Sequence, residues 1–282
     1  MLKIIDPHIH LFDLSLGKYQ WLKPENPPFW PDKAKINQDF KFSDLALNEP
    51  LEFVGAVHIE AGFDNLHPER ELAWLENQQK SELRTIAGID LLLSETKFSE
   101  QLATISTYVS CVGCRHILDD DAVELLSNIQ VQRNLALLNE YQWIFETQLN
   151  FSDSAAIDLL ADVITKNPKT TFVINHAGFP NFSTNNELWL SSLEKLASLK
   201  NIAIKCSGLE MVDRNYSGKD IKAAVESLIN NFGVERVMMA SNFPLTLFSY
   251  SYQEYWLLVL KTLPQEYRQS LCFDNASRIY RF

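Results

Sequence analysis

Eight short apolar runs recur along this chain at intervals of roughly 25–35 residues, with amphipathic stretches between most of them. The runs lie near residues 3–10, 53–60, 84–91, 109–116, 142–149, 170–176, 201–207 and 235–241. Runs such as FVGAVHI, TTFVIN and NIAIKC are almost continuously apolar, which is typical of strands buried on both faces of a sheet. Strands that alternate with helices indicate a parallel sheet, and eight such units favour a barrel. We therefore predict an α/β fold, a (β/α)8 TIM barrel in which residues 1–282 form a single domain.

The interval between the first two runs is longer than the others, at about 40 residues, and loops of that length are usually functional or disordered. It contains YQWLKPENPPFWPD, which is rich in proline and aromatic residues. Trp21, Phe29 and Trp30 argue against disorder, because large apolar rings need a surface to bury against. We expect a long β1–α1 loop that either packs as a cover on the barrel or forms a rim over a substrate.

Composition excludes several classes of protein and partner. A net charge of −11 opposes binding to nucleic-acid backbones and to anionic membranes. No apolar stretch reaches the roughly 20 residues that a membrane span needs, and the first residues lack the pattern of a secretory signal. The four cysteines are expected to be buried and reduced. We therefore expect a cytoplasmic protein that acts on a small molecule, with its oligomeric state left open.

The first apolar run ends in Asp6-Pro7-His8-Ile9-His10. Side chains of a strand alternate between faces, so Asp6, His8 and His10 are predicted to share one face. Two imidazoles about 6.6 Å apart along a strand can tilt onto one cation. Polar residues also end most of the other runs, at the edge where a barrel places its active site. They are His58, Glu60, Arg115, His116, Glu146, Gln148, Asn175, His176, Lys205, Ser207, Ser241 and Asn242.

Six motifs in order along the chain resemble those of the amidohydrolase-2 family, and especially its sugar-lactone and 2-pyrone-4,6-dicarboxylate lactone hydrolases. The motifs are DPHIHLFD, VGCRHIL, VINHAGFP, AIKCSGL, MMASNFP and DNASRIYRF. The resemblance implies a distorted (β/α)8 barrel and hydrolysis at a carbonyl group. It also implies that His8 and His10 match the strand-one histidine pair and that His176 matches the strand-six histidine. Arg115 matches a residue that binds a substrate carboxylate or an oxyanion.

Two positions depart from the family pattern. Asn242 stands where the family has an aspartate that acts as metal ligand or general base, and asparagine cannot accept a proton at neutral pH. The strand-five region offers Glu146 and Gln148 instead of a ligand histidine. A site made of His8, His10 and His176 would be neutral. We therefore predict that it binds one zinc ion weakly or works without a metal.

A replacement for the missing aspartate is sought among the other strand-end carboxylates. Glu60, in VHIEAG, is predicted on the same face as His58 and at the rim beside strand one, where it could activate water. The alternative is a surface glutamate paired with a basic residue. Arg115 is predicted to bind a substrate carboxylate or polarise a carbonyl, and the alternative is an ion pair with Glu146. Lys205 has the same two interpretations.

The sequence thus predicts a hydrolase of a small carbonyl substrate, most simply a lactone of a sugar acid or of a carboxylated acid. The candidate substrate-binding residues are Arg115, Lys205 and Gln148. His176 is expected to polarise the carbonyl, and Glu60 or His10 to activate water; His8 and Asn242 complete the candidate catalytic set. The alternatives are a metal-dependent decarboxylase of an aromatic or semialdehyde acid and a barrel that binds a metabolite without catalysis.

Overall fold

A computed structural model describes residues 1–78, 80–183 and 186–282. Eight parallel strands form one sheet in sequence order, which confirms the predicted α/β barrel. A bridge between Ile9 and Phe243 brings the end of the first strand beside the segment that follows the last, so the sheet is nearly closed. The strands are β1 Leu2–Ile9, β2 Leu51–Ile59, β3 Leu83–Gly88, β4 Cys111–Arg115, β5 Ile144–Thr147, β6 Thr171–Ile174, β7 Ile202–Cys206 and β8 Val237–Met239.

Helices pack around the outside of the sheet in the order expected for strand-helix units. Within the ranges that the structure describes, they are α1 Glu69–Glu76, α2 Glu95–Ile105, α3 Ala122–Ser127, α4 Ile129–Tyr141, α5 Ser154–Lys166, α6 Glu187–Ala197, α7 Leu209–Val212, α8 Gly218–Phe232, α9 Tyr252–Thr262, α10 Gln265–Gln269 and α11 Asn275–Tyr280. Local sequence explains their ends: the side chain of Asp153 caps α5, and a capping box of Ser217 and Asp220 begins α8.

The strand residues divide between two apolar clusters. A small cluster inside the barrel includes Ile5, Val57, Val173 and Met238, and a larger one fills the space between sheet and helices. Tyr280 of α11 joins the small cluster and is fully buried. The C-terminal helix therefore closes the end of the barrel at which the strands begin, and leaves the opposite end for chemistry.

The connection between β1 and β2 differs from the predicted β1–α1 loop. It is long, but across residues 10–50 it contains only the 3₁₀ segments Gln20–Leu22, Lys33–Lys35 and Phe42–Leu45, and no α-helix. Repeated prolines, which lack the backbone donor and restrict their neighbours, account for this. The first α-helix of the barrel follows β2 instead.

The aromatic residues of this connection do not all behave as predicted. The Trp21 indole donates to the carbonyl of Ala61, 2.7 Å away at the end of β2, and Trp30 packs against Phe248. Phe29 is 73% exposed, so the expectation that it needs a buried surface was wrong. Its neighbour Trp30 takes the packing position. The connection is nevertheless packed, and it contacts the rim of the barrel.

Two further expectations concern membranes and cysteines. In the described part of the chain, no helix is both long enough and apolar enough to cross a membrane. Cys111, Cys114, Cys206 and Cys272 are free and buried, as predicted. Burial raises the pKa of the Cys206 thiol to about 12, which makes it a poor nucleophile at neutral pH.

Candidate active site

Three histidines meet at the end of the barrel where the strands finish. His8 lies near the end of β1 and His10 directly follows that strand, and His176 is the second residue after β6. The ring centroid of His8 lies 5.1 Å from that of His10 and 4.6 Å from that of His176. All three side chains are buried. The structure therefore brings together the three residues that the sequence nominated as a weak metal site.

Hydrogen bonds define which ring nitrogens are free. His10 Nδ1 lies 2.8 Å from the carbonyl oxygen of Ile59, and because a carbonyl only accepts, this nitrogen carries the proton. His176 Nδ1 lies 3.1 Å from the hydroxyl of Ser207. Burial lowers the pKa of all three imidazoles well below 6.5; the positive charge of Arg115 acts in the same direction on each ring, and that of Lys205 on His8 and His176. The three rings are therefore neutral at pH 7.

A buried charge cluster lies against His8. Lys205 Nζ is 2.7 Å and 2.5 Å from the two carboxylate oxygens of Glu146 and 3.3 Å from His8 Nδ1. The Tyr280 hydroxyl is 2.5 Å from the same carboxylate. Burial lowers the pKa of Lys205 to about 8, so the ammonium form still dominates at pH 7. Since an ammonium group only donates, His8 Nδ1 accepts and His8 Nε2 carries the proton.

The cluster corrects two predictions about basic residues. Lys205 is fully buried with Glu146 and His8 as partners, so the structure shows the ion pair and not an exposed substrate-binding cation. Glu146 pairs with Lys205, and not with Arg115 as the sequence had suggested. Glu146 and Lys205 pair with each other because β5 and β7 place both side chains at the same depth, beneath the rim of the barrel. Lys205 donates a hydrogen bond to His8 and acts electrostatically on His176.

Arg115 pairs instead with Glu60. Its Nε and Nη2 atoms lie 2.9 Å and 2.7 Å from Glu60 Oε1, and Nη2 also donates to the Glu60 carbonyl at 2.9 Å. Nη1 donates to Gln148 Oε1 at 3.2 Å, and the amide of Gln148 in turn donates to Asp119. The predicted groups Glu60, Arg115 and Gln148 thus form one network at the mouth. The guanidinium therefore has no pair of adjacent N–H groups free for bidentate binding of a substrate carboxylate.

Two predictions from strand alternation were wrong. His58 and Glu60 do not share a face: His58 Nε2 lies 2.9 Å from Glu71 of α1, whereas Glu60 turns to β4. The alternation stops because β2 ends at Ile59. Asp6 does not join the histidines, because its carboxylate accepts from the backbone and hydroxyl of Ser241 beside β8.

The displacement of Asp6 has a local cause and an electrostatic consequence. The register between β1 and β2 shifts between Asp6 and Ile9, so the period of two is broken there. Burial raises the pKa of Asp6 to about 6, against the hydrogen bonds from Ser241. Asp6 fastens β1 to the segment after β8 and supports the histidine-bearing strand end.

The structure also shows a carboxylate that sequence analysis missed. Asn242 Nδ2 donates to Glu210 Oε1 at 2.6 Å, and the Glu210 side chain is almost completely buried. Glu210 belongs to α7, which begins two residues after Ser207. Burial raises the pKa of Glu210 to about 7. The available signal was a single acidic residue in the otherwise apolar stretch that follows the seventh run.

The donor set does not fit a tightly bound divalent cation. His8 Nε2 carries a proton while Lys205 donates to its other nitrogen, so His8 has no free lone pair, whereas His10 Nε2 has one. Asn242 supplies no carboxylate to the set. Across the three described ranges, no group of three or more His, Cys, Asp or Glu residues has a geometry suited to a metal. Weak zinc binding by the three histidines stays a prediction.

Comparison with known proteins places this geometry in context. The profile of a family described as amidohydrolase matches residues 5–282. An uncharacterized protein of Sinorhizobium fredii is 28% identical, with 99% of this chain and 98% of that protein covered.

Two solved structures have the same fold. An amidohydrolase from Burkholderia multivorans with bound zinc has a TM-score of 0.80 and 21% identity, and 99% of each chain is covered. A probable 2-pyrone-4,6-dicarboxylic acid hydrolase from Acinetobacter baumannii with citric acid bound has a TM-score of 0.73 and 18% identity, again with 99% of each chain covered. At these identities the likeness extends to the fold alone.

Proposed function

The chain belongs to the amidohydrolase family, and on that basis we propose that it hydrolyses a neutral lactone of a sugar-derived acid. One observation carries the proposal: the neutral histidine trio combines the N–H donor of His8 with the lone pair of His10 inside a buried site. His8 Nε2 is buried and has no partner among the described residues. A lactone carbonyl needs such a donor at its oxygen, and the water that attacks it needs an acceptor.

The roles of the three rings follow from their proton positions. His8 Nε2–H donates to the carbonyl oxygen and stabilises the negative charge that develops there as water adds. The lone pair of His10 accepts a hydrogen bond from the attacking water and orients it, since the Ile59 carbonyl holds the ring. The Nε2 atom of His176, whose Nδ1 is held by the Ser207 hydroxyl, forms a hydrogen bond with a hydroxyl group of the substrate. All three imidazole rings are neutral when the substrate binds.

Charge pairing favours a neutral substrate over a carboxylated one. Arg115 is neutralised by Glu60, and Lys205 is neutralised by Glu146. A dicarboxylate lactone would have to break the pair of Arg115 with Glu60 before a carboxylate could bind, and truncating or breaking a buried pair costs several kcal/mol. A decarboxylase substrate meets the same obstacle. The hydroxyl groups of a sugar lactone require only hydrogen-bonding partners such as Gln148.

The proposal is tested with a panel of five- and six-membered sugar lactones, assayed by proton release in weak buffer. Wild-type protein should turn over at least one of them, and His8→Gln should lower kcat by roughly 10²–10³-fold, as loss of an oxyanion donor does. His67→Gln is the matched control, because this imidazole is largely exposed on the outside of the barrel. Absence of turnover on the whole panel, or a His8→Gln enzyme as active as the control, contradicts the proposal.

A further inference from the structure

We propose that Glu210 is the general base of the reaction and that Asn242 positions it. The inference rests on the proposed function, which needs a group that removes the proton from water. The three histidines are poor candidates, because their environment lowers the pKa of each ring well below 6.5. Glu60 is held by Arg115 in a close ion pair. Glu210 is a buried carboxylate with no cationic hydrogen-bond partner among the described residues, and Arg214 donates to its backbone carbonyl and not to its side chain.

Glu210 lies on the segment that follows β7. Ser207, which bonds His176 Nδ1, ends the same β7 segment from which α7 starts. Gly208 packs so closely on His176 that a Cβ atom there would lie 2.4 Å from the ring nitrogen. Glu210 follows two residues later, and its carboxylate reaches across to Asn242 at the end of β8. The hydrogen bond from Asn242 therefore joins the segments that follow β7 and β8, and Ser207 and Gly208 of the first of these segments lie against His176.

Asn242 holds the carboxylate of Glu210. Asn242 donates one short hydrogen bond of 2.6 Å, and its own Oδ1 is buried without a partner in the described part of the chain. Asn242 also has a left-handed backbone, with a φ of 58°. Asparagine adopts this conformation more readily than most residues, and here it accompanies the donation of the side-chain amide to Glu210.

The electrostatic surroundings are compatible with proton transfer near pH 7. The positive charge of Arg214 lowers the pKa of Glu210, and the charge of Glu210 in turn raises the pKa of the neighbouring Tyr216 and Tyr255. Arg214 is shared with Asp32, so it compensates Glu210 only in part. Burial is the largest effect and raises the pKa of Glu210 to about 7, the range in which a carboxylate both accepts and returns a proton efficiently.

The proposed step is balanced as follows. Glu210 takes one proton from water while the water oxygen forms a bond to the carbonyl carbon, and the carbonyl π electrons move to oxygen. The tetrahedral intermediate then re-forms the carbonyl and breaks the ring C–O bond. The leaving alkoxide takes the proton from Glu210, which regenerates the carboxylate. The hydroxy acid product releases its carboxyl proton to solvent.

The test compares Glu210→Gln with Glu76→Gln. Glu76 is the matched control because its carboxylate accepts from the backbone of Ser110, at the end of the barrel where β4 begins. Glu210→Gln should lower kcat by about 10²–10⁴-fold with KM within a few-fold of wild type, and residual activity should lose its dependence on pH between 6 and 8. Glu76→Gln should keep the wild-type kcat. A Glu210→Gln enzyme with wild-type kcat overturns the inference.

Thermal unfolding at pH 8 gives a second readout that needs no substrate. At pH 8 the buried Glu210 carboxyl group is ionised, and its charge destabilises the folded state. Glu210→Gln removes this charge, so the variant should melt a few degrees above wild type. A lower melting temperature for Glu210→Gln would show that the side chain is structural and would overturn the inference even if no substrate were found. Wild-type inactivity on lactones together with the higher melting temperature would instead refute the proposed function alone.

Discussion

Replacement of Lys205 by methionine is the sharpest probe of the charge cluster below the histidines. Lys205 and Glu146 are both fully unexposed, and Lys205→Met leaves a carboxylate in the barrel with only the Tyr280 hydroxyl as partner. Breaking a buried pair in this way costs about 3–5 kcal/mol, whereas an exposed pair is worth about 0–1 kcal/mol. We therefore expect the free energy of unfolding to fall by about 3–5 kcal/mol.

The double variant Lys205→Met with Glu146→Gln separates stability from function. It removes the uncompensated charge and keeps a group that can accept from Tyr280, so most of the lost unfolding free energy should return. Activity should not return, because His8 Nδ1 no longer has the donor that places the proton on Nε2.

Urea unfolding at pH 7, followed by fluorescence and circular dichroism together, measures the first effect, and kcat on a sugar lactone measures the second. A loss of less than 1 kcal/mol for Lys205→Met would refute the description of this pair as buried and coupled. A double variant with wild-type kcat would refute the role of Lys205 in fixing the tautomer of His8.

Three further predictions concern specificity, metal content and pH. Glu60→Gln removes the negative charge that neutralises Arg115, so kcat/KM for carboxylated lactones should rise about tenfold relative to neutral ones, the factor that corresponds to 1.4 kcal/mol; an unchanged ratio on the two matched substrates would contradict the role of this ion pair. After mild dialysis, elemental analysis should find well under one equivalent of zinc, and a full equivalent that survives chelator would contradict the poor fit of these side chains to a tightly bound cation. The pKa of Asp6 is raised to about 6 in the folded state from 3.8, so its ionisation destabilises the fold as pH rises from about 4 to 6. The melting temperature of Asp6→Asn relative to wild type should therefore increase across that window, and a constant difference would contradict it.

The barrel was predictable because every strand left its own mark in the sequence. Each predicted run overlaps a strand of the structure, and apolar continuity is a local property that needs no knowledge of partners. The missing helix between β1 and β2 was not predicted, although the prolines of YQWLKPENPPFWPD are incompatible with one.

Predictions within the site failed where alternation was extended past the regular strand. Asp6 lies at a register shift of β1 and Glu60 lies one residue beyond β2, so neither follows the period of two. The choice of ion-pair partners also could not be predicted, because it depends on how deep each strand places its side chain. Glu210 was missed because its partner, Asn242, is 32 residues away and meets it only in the folded barrel.

Hydrolysis of neutral lactones by the side chains of the site, without a metal, is open to direct measurement. The most direct test measures kcat/KM of chelator-treated wild-type protein on a neutral sugar lactone and on a carboxylated lactone of the same ring size. We expect turnover to survive chelation and the neutral lactone to be preferred at least about tenfold, the factor that corresponds to 1.4 kcal/mol. Turnover that disappears with chelator and returns with zinc, or a preference for the carboxylated lactone, would contradict the account.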